Sequence, residues 1–301
     1  MNPDLRLKQG AIFDLSARTK LRVSGADRFR YLNGQITNDL RNANGSSALY
    51  ACVLNTKGKI NADVYISNDG ASFLLDADET LREQLPTRLE RYVIADDVEI
   101  SDVTEEFAIL HVTGPNAPAA TDATAAPQSV RFGSAGTDFW LPRGLYEARL
   151  KEWAVELPLC DPDCAEALRI EKGIPRWGHE LTEEIIPTEA NLEAAAISYD
   201  KGCYIGQEVI SRIKMSGQTN KRLCGLIAPR GSDLEAGMRL VSHDGKDVGW
   251  VTSASVSKRV GKRIALGFVK RGFNDIGNNL RARAPENDRG TEVAIVQLPF
   301  A

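Results

Sequence analysis

At 301 residues, 43% hydrophobic and 26% charged, the chain has the make-up of an ordinary globular protein, long enough for two or three domains with a sizeable core. No stretch reaches the ~18 uninterrupted apolar residues of a membrane span, and Met1-Asn2-Pro3-Asp4-Leu5-Arg6 lacks the apolar run of a secretory leader, so a cytoplasmic protein with no membrane partner is expected. The net charge of -4 is unevenly spread: residues 201–283 hold 16 Lys and Arg against 6 Asp and Glu, and the rest of the chain holds 21 against 35, a basic module joined to an acidic body.

In chain order, Leu21-Arg22-Val23-Ser24-Gly25 reads as a short strand and Ala26–Leu32 as a helix. The amide-rich stretch Asn33-Gly34-Gln35-Ile36-Thr37-Asn38-Asp39 follows, either a binding loop or a polar turn closing that helix. Ser47–Leu54 and Ile60–Ile66 form a hairpin about the turn Asn55-Thr56-Lys57-Gly58-Lys59, where Lys57 can meet a carboxylate or phosphate or simply remain solvated. Further strands are expected at 71–75, 98–100, 107–112, 130–132 and 139–141. Helices are expected at 79–91, interrupted by Pro86, and up to about Leu157, with a loosely ordered Ala/Pro/Thr-rich connection at 118–127. Strands and helices without regular alternation indicate an α+β body.

The five cysteines, Cys52, Cys160, Cys164, Cys203 and Cys224, are odd in number and scattered, so reduced thiols are expected rather than a disulfide framework. Cys160 and Cys164 have the spacing C-x3-C, but position 167 is Ala167, which removes the third ligand of a radical-enzyme cluster site. His111, His179 and His243 lie far from one another and from paired cysteines, so no metal site made by this chain alone is expected. Ala165–Glu171 should be a helix, with Asp161 or Asp163 as its N-cap. A carboxylate near a helix C-terminus is unfavourable without a partner, so Glu171 either accepts hydrogen bonds from a bound ring or pairs with Arg169 or Lys172.

Lys201-Gly202-Cys203-Tyr204-Ile205-Gly206-Gln207-Glu208 reads as a loop entering a helix. Helix N–H groups, Lys201 and the later Arg212 and Lys214 would favour a thiolate at Cys203; an inert cysteine in a Gly-rich turn is the plain alternative. From Lys221 onward, six short strands separated by glycines suggest a small β-barrel. The expected division is 1–219, an α+β body with two interleaved subdomains, and 220–301, the barrel.

Three strings, Arg169-Ile170-Glu171-Lys172-Gly173-Ile174-Pro175, Ile186-Pro187-Thr188-Glu189-Ala190-Asn191-Leu192 and the Cys203 segment, together resemble the YgfZ group of the glycine-cleavage T-protein superfamily. The resemblance covers almost the whole chain. It implies three domains around a central folate cavity, with tetrahydrofolate or a derivative as cofactor. It also implies a role in assembling or repairing iron-sulfur enzymes, including those that modify tRNA. Carried over by position, Glu171 matches the glutamate that binds the pterin, and Cys203 the signature cysteine of the group. Arg169, Tyr204, Gln35, Asn38 and Lys57 are the further candidate cofactor contacts. The region corresponding to the superfamily's Asn-Ala-x-Asn segment and catalytic aspartate is Leu75-Asp76-Ala77-Asp78-Glu79-Thr80, which lacks the asparagines. An assembly or repair factor is therefore the first expectation. A folate-dependent aminomethyltransferase or demethylase using Asp76 or Asp78 is the second, and a tRNA-binding module built on the basic C-terminal region the third.

Overall fold

The computed structural model describes residues 10–115, 117–118, 122–284 and 290–300; part of the connection expected at 118–127 lies outside them. Contacts divide the chain into two compact units, residues 1–161 with 193–209, and residues 162–192 with 210–301. Residues 162–192, which precede the expected boundary at 219, thus group with the barrel. No described helix is long and apolar enough to cross a membrane.

In the first unit the strands are β1 (Ala11–Asp14), β2 (Thr19–Ser24), β3 (Leu49–Leu54), β4 (Ile60–Asn68), β5 (Phe73–Ala77), β6 (Glu99–Asp102), β7 (Phe107–Thr113), β8 (Gln128–Arg131) and β9 (Ser134–Pro142). They form a five-stranded sheet, β3-β4-β5-β2-β6, and a four-stranded sheet, β1-β7-β9-β8, and every pairing is antiparallel. The hairpin predicted about residues 55–59 is β3-β4. Helix α1 (Arg28–Gln35) follows β2, and its Tyr31 and Leu32 are buried. The helix predicted across 79–91 is two pieces, a 3-10 turn Glu79–Leu81 and α2 (Gln84–Glu90). Pro86 accounts for the break: it falls in the first turn of α2, where no intrahelical partner for its missing N–H is needed. Helix α3 (Tyr146–Trp153) then packs Trp153 against Phe139.

An ionic network buried in this unit joins the two sheets. Arg131, at the end of β8, donates to both carboxylate oxygens of Asp76 on β5 at 3.2 and 2.6 Å, and its Nε lies 3.0 Å from each oxygen of Asp138 on β9. Asp138 is also 2.7 Å from His111 Nδ1 on β7, Arg18 donates to Asp76, and the Arg131 guanidinium lies 3.7 Å from the Tyr65 ring centroid. Burial alone would push the Asp138 carboxyl up, but the Arg131 guanidinium and the hydrogen bond with His111 hold it well below the ordinary range.

The second unit begins with α4 (Pro162–Lys172) and ends in the strands β10 (Lys221–Ala228), β11 (Arg239–Val241), β12 (Asp247–Ser257), β13 (Lys262–Lys270), β14 (Asn279–Arg283) and β15 (Gly290–Val296). Helix α4 starts at Pro162, so Asp163 lies inside its first turn rather than at the cap; proline's fixed φ suits that opening position. The six strands close into a barrel, β10-β13-β12-β11-β14-β15, which leaves no sheet edge. Leu226, Leu240, Val251, Ala265, Val269, Leu280 and Ile295 belong to its core. Two short helices complete the fold, α5 (Glu193–Ala196) and α6 (Gln207–Ser216).

Removing Arg131 would leave two carboxylates buried without their guanidinium. Arg131→Leu is expected to lower unfolding free energy by roughly 3–5 kcal/mol, read from the guanidinium denaturation midpoint.

Candidate functional site

The predicted site residues fall into two groups. Cys203, Tyr204, Gln35, Asn38 and Lys57 lie in the first unit, and Arg169 and Glu171 lie on α4 in the second.

The first group is organised by the segment 195–206. Lys201 is 7% exposed, and its Nζ donates to three backbone carbonyls, those of Asn33 at 2.5 Å, Ile36 at 2.8 Å and Asn38 at 2.7 Å. Burial pushes its pKa down to about 8. The backbone adds Ile205 N–H to Gly34 O at 3.2 Å and Ser198 N–H to Thr37 O at 3.0 Å. Thr37 Oγ1 donates to Ala196 O at 2.5 Å, and Asn38 Nδ2 to Tyr50 O at 2.9 Å and Ala195 O at 3.3 Å. Gln35, at the end of α1, accepts from Arg88 at 3.1 Å. The stretch 33–39 is therefore the helix-closing turn that its composition suggested, and it also carries another loop.

Gly206 brings the same segment onto the β3-β4 turn that carries Lys57. Its φ is +85°, and a Cβ there would stand 2.6 Å from Asn55 O and 3.2 Å from Gly58 Cα. Gly58 in turn faces Val209, at 2.8 Å from where its own Cβ would be. Lys57 is exposed at the tip of this turn. Helix α6 begins at Gln207, so the thiol does precede a helix start by a few residues.

Among the described cysteines Cys203 is the exposed one; Cys52 and Cys224 are buried, and Cys160 and Cys164 are intermediate. Tyr204 beside it is buried, and burial raises its phenol pKa. Lys201 has no N–H left to donate to the thiol. All three N–H bonds of its ammonium are committed to carbonyls, and its charge lies 5.2 Å from the Tyr204 ring centroid. What Lys201 supplies is anchorage of the Cys203 loop.

On α4, every guanidinium N–H of Arg169 is engaged. Nε and Nη2 donate to Glu166, Nη1 to Ile174 O at 3.0 Å and Glu180 at 2.9 Å, and Nη2 also to Ser253 Oγ at 2.6 Å. Such a residue braces the helix and has no donor left for a ligand. Its counter-ion Glu180 is fully buried and receives the hydroxyls of both Thr252 and Ser253 at 2.6 Å. Successive residues of a regular strand face opposite ways, but the β12 register shifts between Val251 and Ser253, and this bulge brings both hydroxyls to one side.

Glu171 is 8% exposed and has neither predicted partner. Ser257 Oγ donates to Oε1, and Arg259 Nε reaches Oε2 at 3.3 Å. A carboxylate offers about four acceptor positions, so this one retains capacity for further N–H donors. The two carboxylates considered for acid-base chemistry both carry structural hydrogen bonds. Asp76, 1% exposed, is gripped by Arg131 and Arg18, and Asp78 caps the 3-10 turn by accepting from Thr80 N and Oγ1. Among the described residues no cluster of three His, Cys, Asp or Glu is placed to hold a metal.

Two measurements follow from this geometry. Gly206→Ala places a side chain at a left-handed φ against a carbonyl and should cost more than about 1 kcal/mol in chemical denaturation. Lys201 binds fewer protons folded than unfolded between its folded value of about 8 and the ordinary lysine value of 10.5. The stability difference between wild type and Lys201→Met should accordingly move in favour of wild type as pH rises across that window and stay flat below it.

Comparison with known proteins matches the GCVT N-terminal domain over residues 6–136 and the glycine-cleavage T-protein C-terminal barrel domain over residues 221–301. An aminomethyltransferase of Thermoanaerobacter is 26% identical over 303 residues, covering 89% of this chain and 80% of that protein. One from Rubrobacter xylanophilus is 28% identical over 324 residues, covering 97% and 80%. The crystal structure of the glycine cleavage system aminomethyltransferase T from Bartonella henselae superposes with a TM-score of 0.84 at 18% identity, over 97% of this chain and 86% of that one, which establishes the fold. Proteins of this family use tetrahydrofolate, and a folate cofactor is consistent with the matches. The chain belongs to the glycine-cleavage T-protein superfamily.

Proposed function

We propose that this protein is a folate-binding factor of the YgfZ type that supports assembly or repair of iron-sulfur clusters, among them those of tRNA-modifying enzymes, with Cys203 as its working thiol. The observation that carries the reading is the exposure of Cys203 on a loop whose neighbours Lys201 and Tyr204 are buried. A thiol presented to solvent on an anchored loop suits a nucleophile or a soft ligand that meets another molecule. A cluster needs more than one ligand, so a partner protein or small thiol supplies the others, and the cluster is cargo rather than a resident group.

The donor set of α4 supports folate at Glu171, whose buried carboxylate keeps acceptor capacity for the N–H groups of a pterin. Gln35, Asn38, Lys57 and Tyr204 remain the candidate contacts of the first unit, and Arg169 acts through α4 by bracing it. When bound, tetrahydrofolate supplies a reduced pterin able to carry a one-carbon group. The second reading, aminomethyl transfer, draws on the names of the relatives. Against it stands the structural employment of Asp76 and Asp78, which leaves that region without an evident acid-base group.

Calorimetric titration with tetrahydrofolate tests the assignment. Glu171→Ala should weaken binding by at least tenfold, about 1.4 kcal/mol, while Cys203→Ser binds as wild type does. In cells, Cys203→Ser at normal protein level should lower iron-sulfur enzyme activity; unchanged activity would remove the thiol's assigned role. Turnover of tetrahydrofolate with an amine or methylated donor by the purified protein would favour the transferase instead.

A further inference from the structure

We propose that Lys201 is a positioning residue for Cys203, holding the thiol loop on the C-terminal end of helix α1. The inference rests on the reading of Cys203 as the working thiol.

The last carbonyls of a helix have no intrahelical partner and carry the negative end of its dipole. Helix α1 ends at Gln35, and the carbonyls of Asn33 and Gly34 are in its last turn. The Cys203 loop meets both: Lys201 Nζ donates to Asn33 O at 2.5 Å, and Ile205 N–H to Gly34 O at 3.2 Å. Two further bonds from the same ammonium, to Ile36 O at 2.8 Å and Asn38 O at 2.7 Å, extend the hold past the helix end. A buried ammonium is tolerated where its donors are fully used, and here three N–H groups meet three carbonyls.

The anchors at 201 and 205 bracket the thiol. Between them Gly202 and Cys203 are exposed, while Tyr204 is buried, with its ring 5.2 Å from the ammonium. A loop clamped on both sides of one residue presents that residue in a narrow range of positions. The same three carbonyls belong to the stretch that carries Gln35 and Asn38, so Lys201 also fixes the thiol relative to these two candidate ligand contacts.

The test measures iodoacetamide alkylation of Cys203, followed by peptide mass spectrometry on the folded full-length protein, with backbone amide exchange alongside. Lys201→Met should change the alkylation rate by roughly fivefold or more and speed exchange over residues 33–38 and 201–205, as expected for loss of a buried, fully bonded group. Lys201→Arg, which keeps charge and donors, should bring the rate back to within about twofold of wild type. Thr37→Val removes the hydroxyl that donates to Ala196 O in the same contact. It should lower stability yet leave the Cys203 rate within about twofold of wild type, because it does not touch the bracket. Should Lys201→Met fail to fold, Lys201→Gln, with two donors, is expected to give a rate between the two.

A wild-type rate in the neutral variants, or an equal change in Thr37→Val, would overturn the proposal. If Cys203→Ser leaves iron-sulfur enzyme activity intact, the thiol's cellular role fails, but these rates still report whether Lys201 positions it.

Discussion

Much of the first unit hangs on one guanidinium. Arg131 closes the charge of Asp76 from one sheet and Asp138 from the other, with Tyr65 across its face. Each carboxylate would be costly to bury alone, and each is acceptable because the fork of Arg131 satisfies both at once. Such a network fixes how β5 and β9 meet more narrowly than apolar packing does, since a shift of about an ångström would break several charged hydrogen bonds. The β3-β4 hairpin and the 33–39 platform belong to this unit, and the placement of the Cys203 loop inherits that rigidity.

The candidate groups are spread over both compact units in chemically different parts. The first presents a soft nucleophile among amides and a hairpin cation. The second presents a buried carboxylate on a helix tied to a barrel. Family membership accounts for the fold of both and is consistent with a folate cofactor. The thiol loop is the other chemically distinct feature: its exposed sulfur lies in the unit where Asp76 and Asp78 are tied into structural hydrogen bonds.

How much of this was legible in the sequence depended on the range of the interaction concerned. The hairpin about Asn55–Lys59, the loop-to-helix step at Gly206 and the six barrel strands were readable because each is set by local alternation and glycine placement. The Lys201 bonds were not: the residue is two positions from Cys203, but a four-carbon stem can point either way along the chain, and this one reaches carbonyls more than 160 residues earlier. Glu171 met the same limit, since its cation is Arg259, 88 residues on, rather than Arg169 or Lys172 nearby. Arg131 and His111 lay in expected strands and Asp138 just before one, and nothing marked them as partners until the sheets placed them together. On β8 Ser129 and Arg131 are buried and Gln128 and Val130 exposed, the reverse of what apolar character suggests, so the sequence did not mark a cation facing inward there.

The bulge in β12 carries a consequence for how this protein tolerates insertions and deletions. Because a single supernumerary residue turns Thr252 and Ser253 toward the same carboxylate, removing one residue there would restore alternation and send one hydroxyl to the other wall. Glu180 would then lose a donor, and Arg169 would share a less satisfied counter-ion. Residue count along one barrel strand is thus tied to the seating of a helix some 80 positions earlier, and with it to the buried carboxylate of Glu171 two residues beyond Arg169. A length change that a solvent loop would absorb unnoticed becomes, at this point, a change in how a buried helix carboxylate is seated.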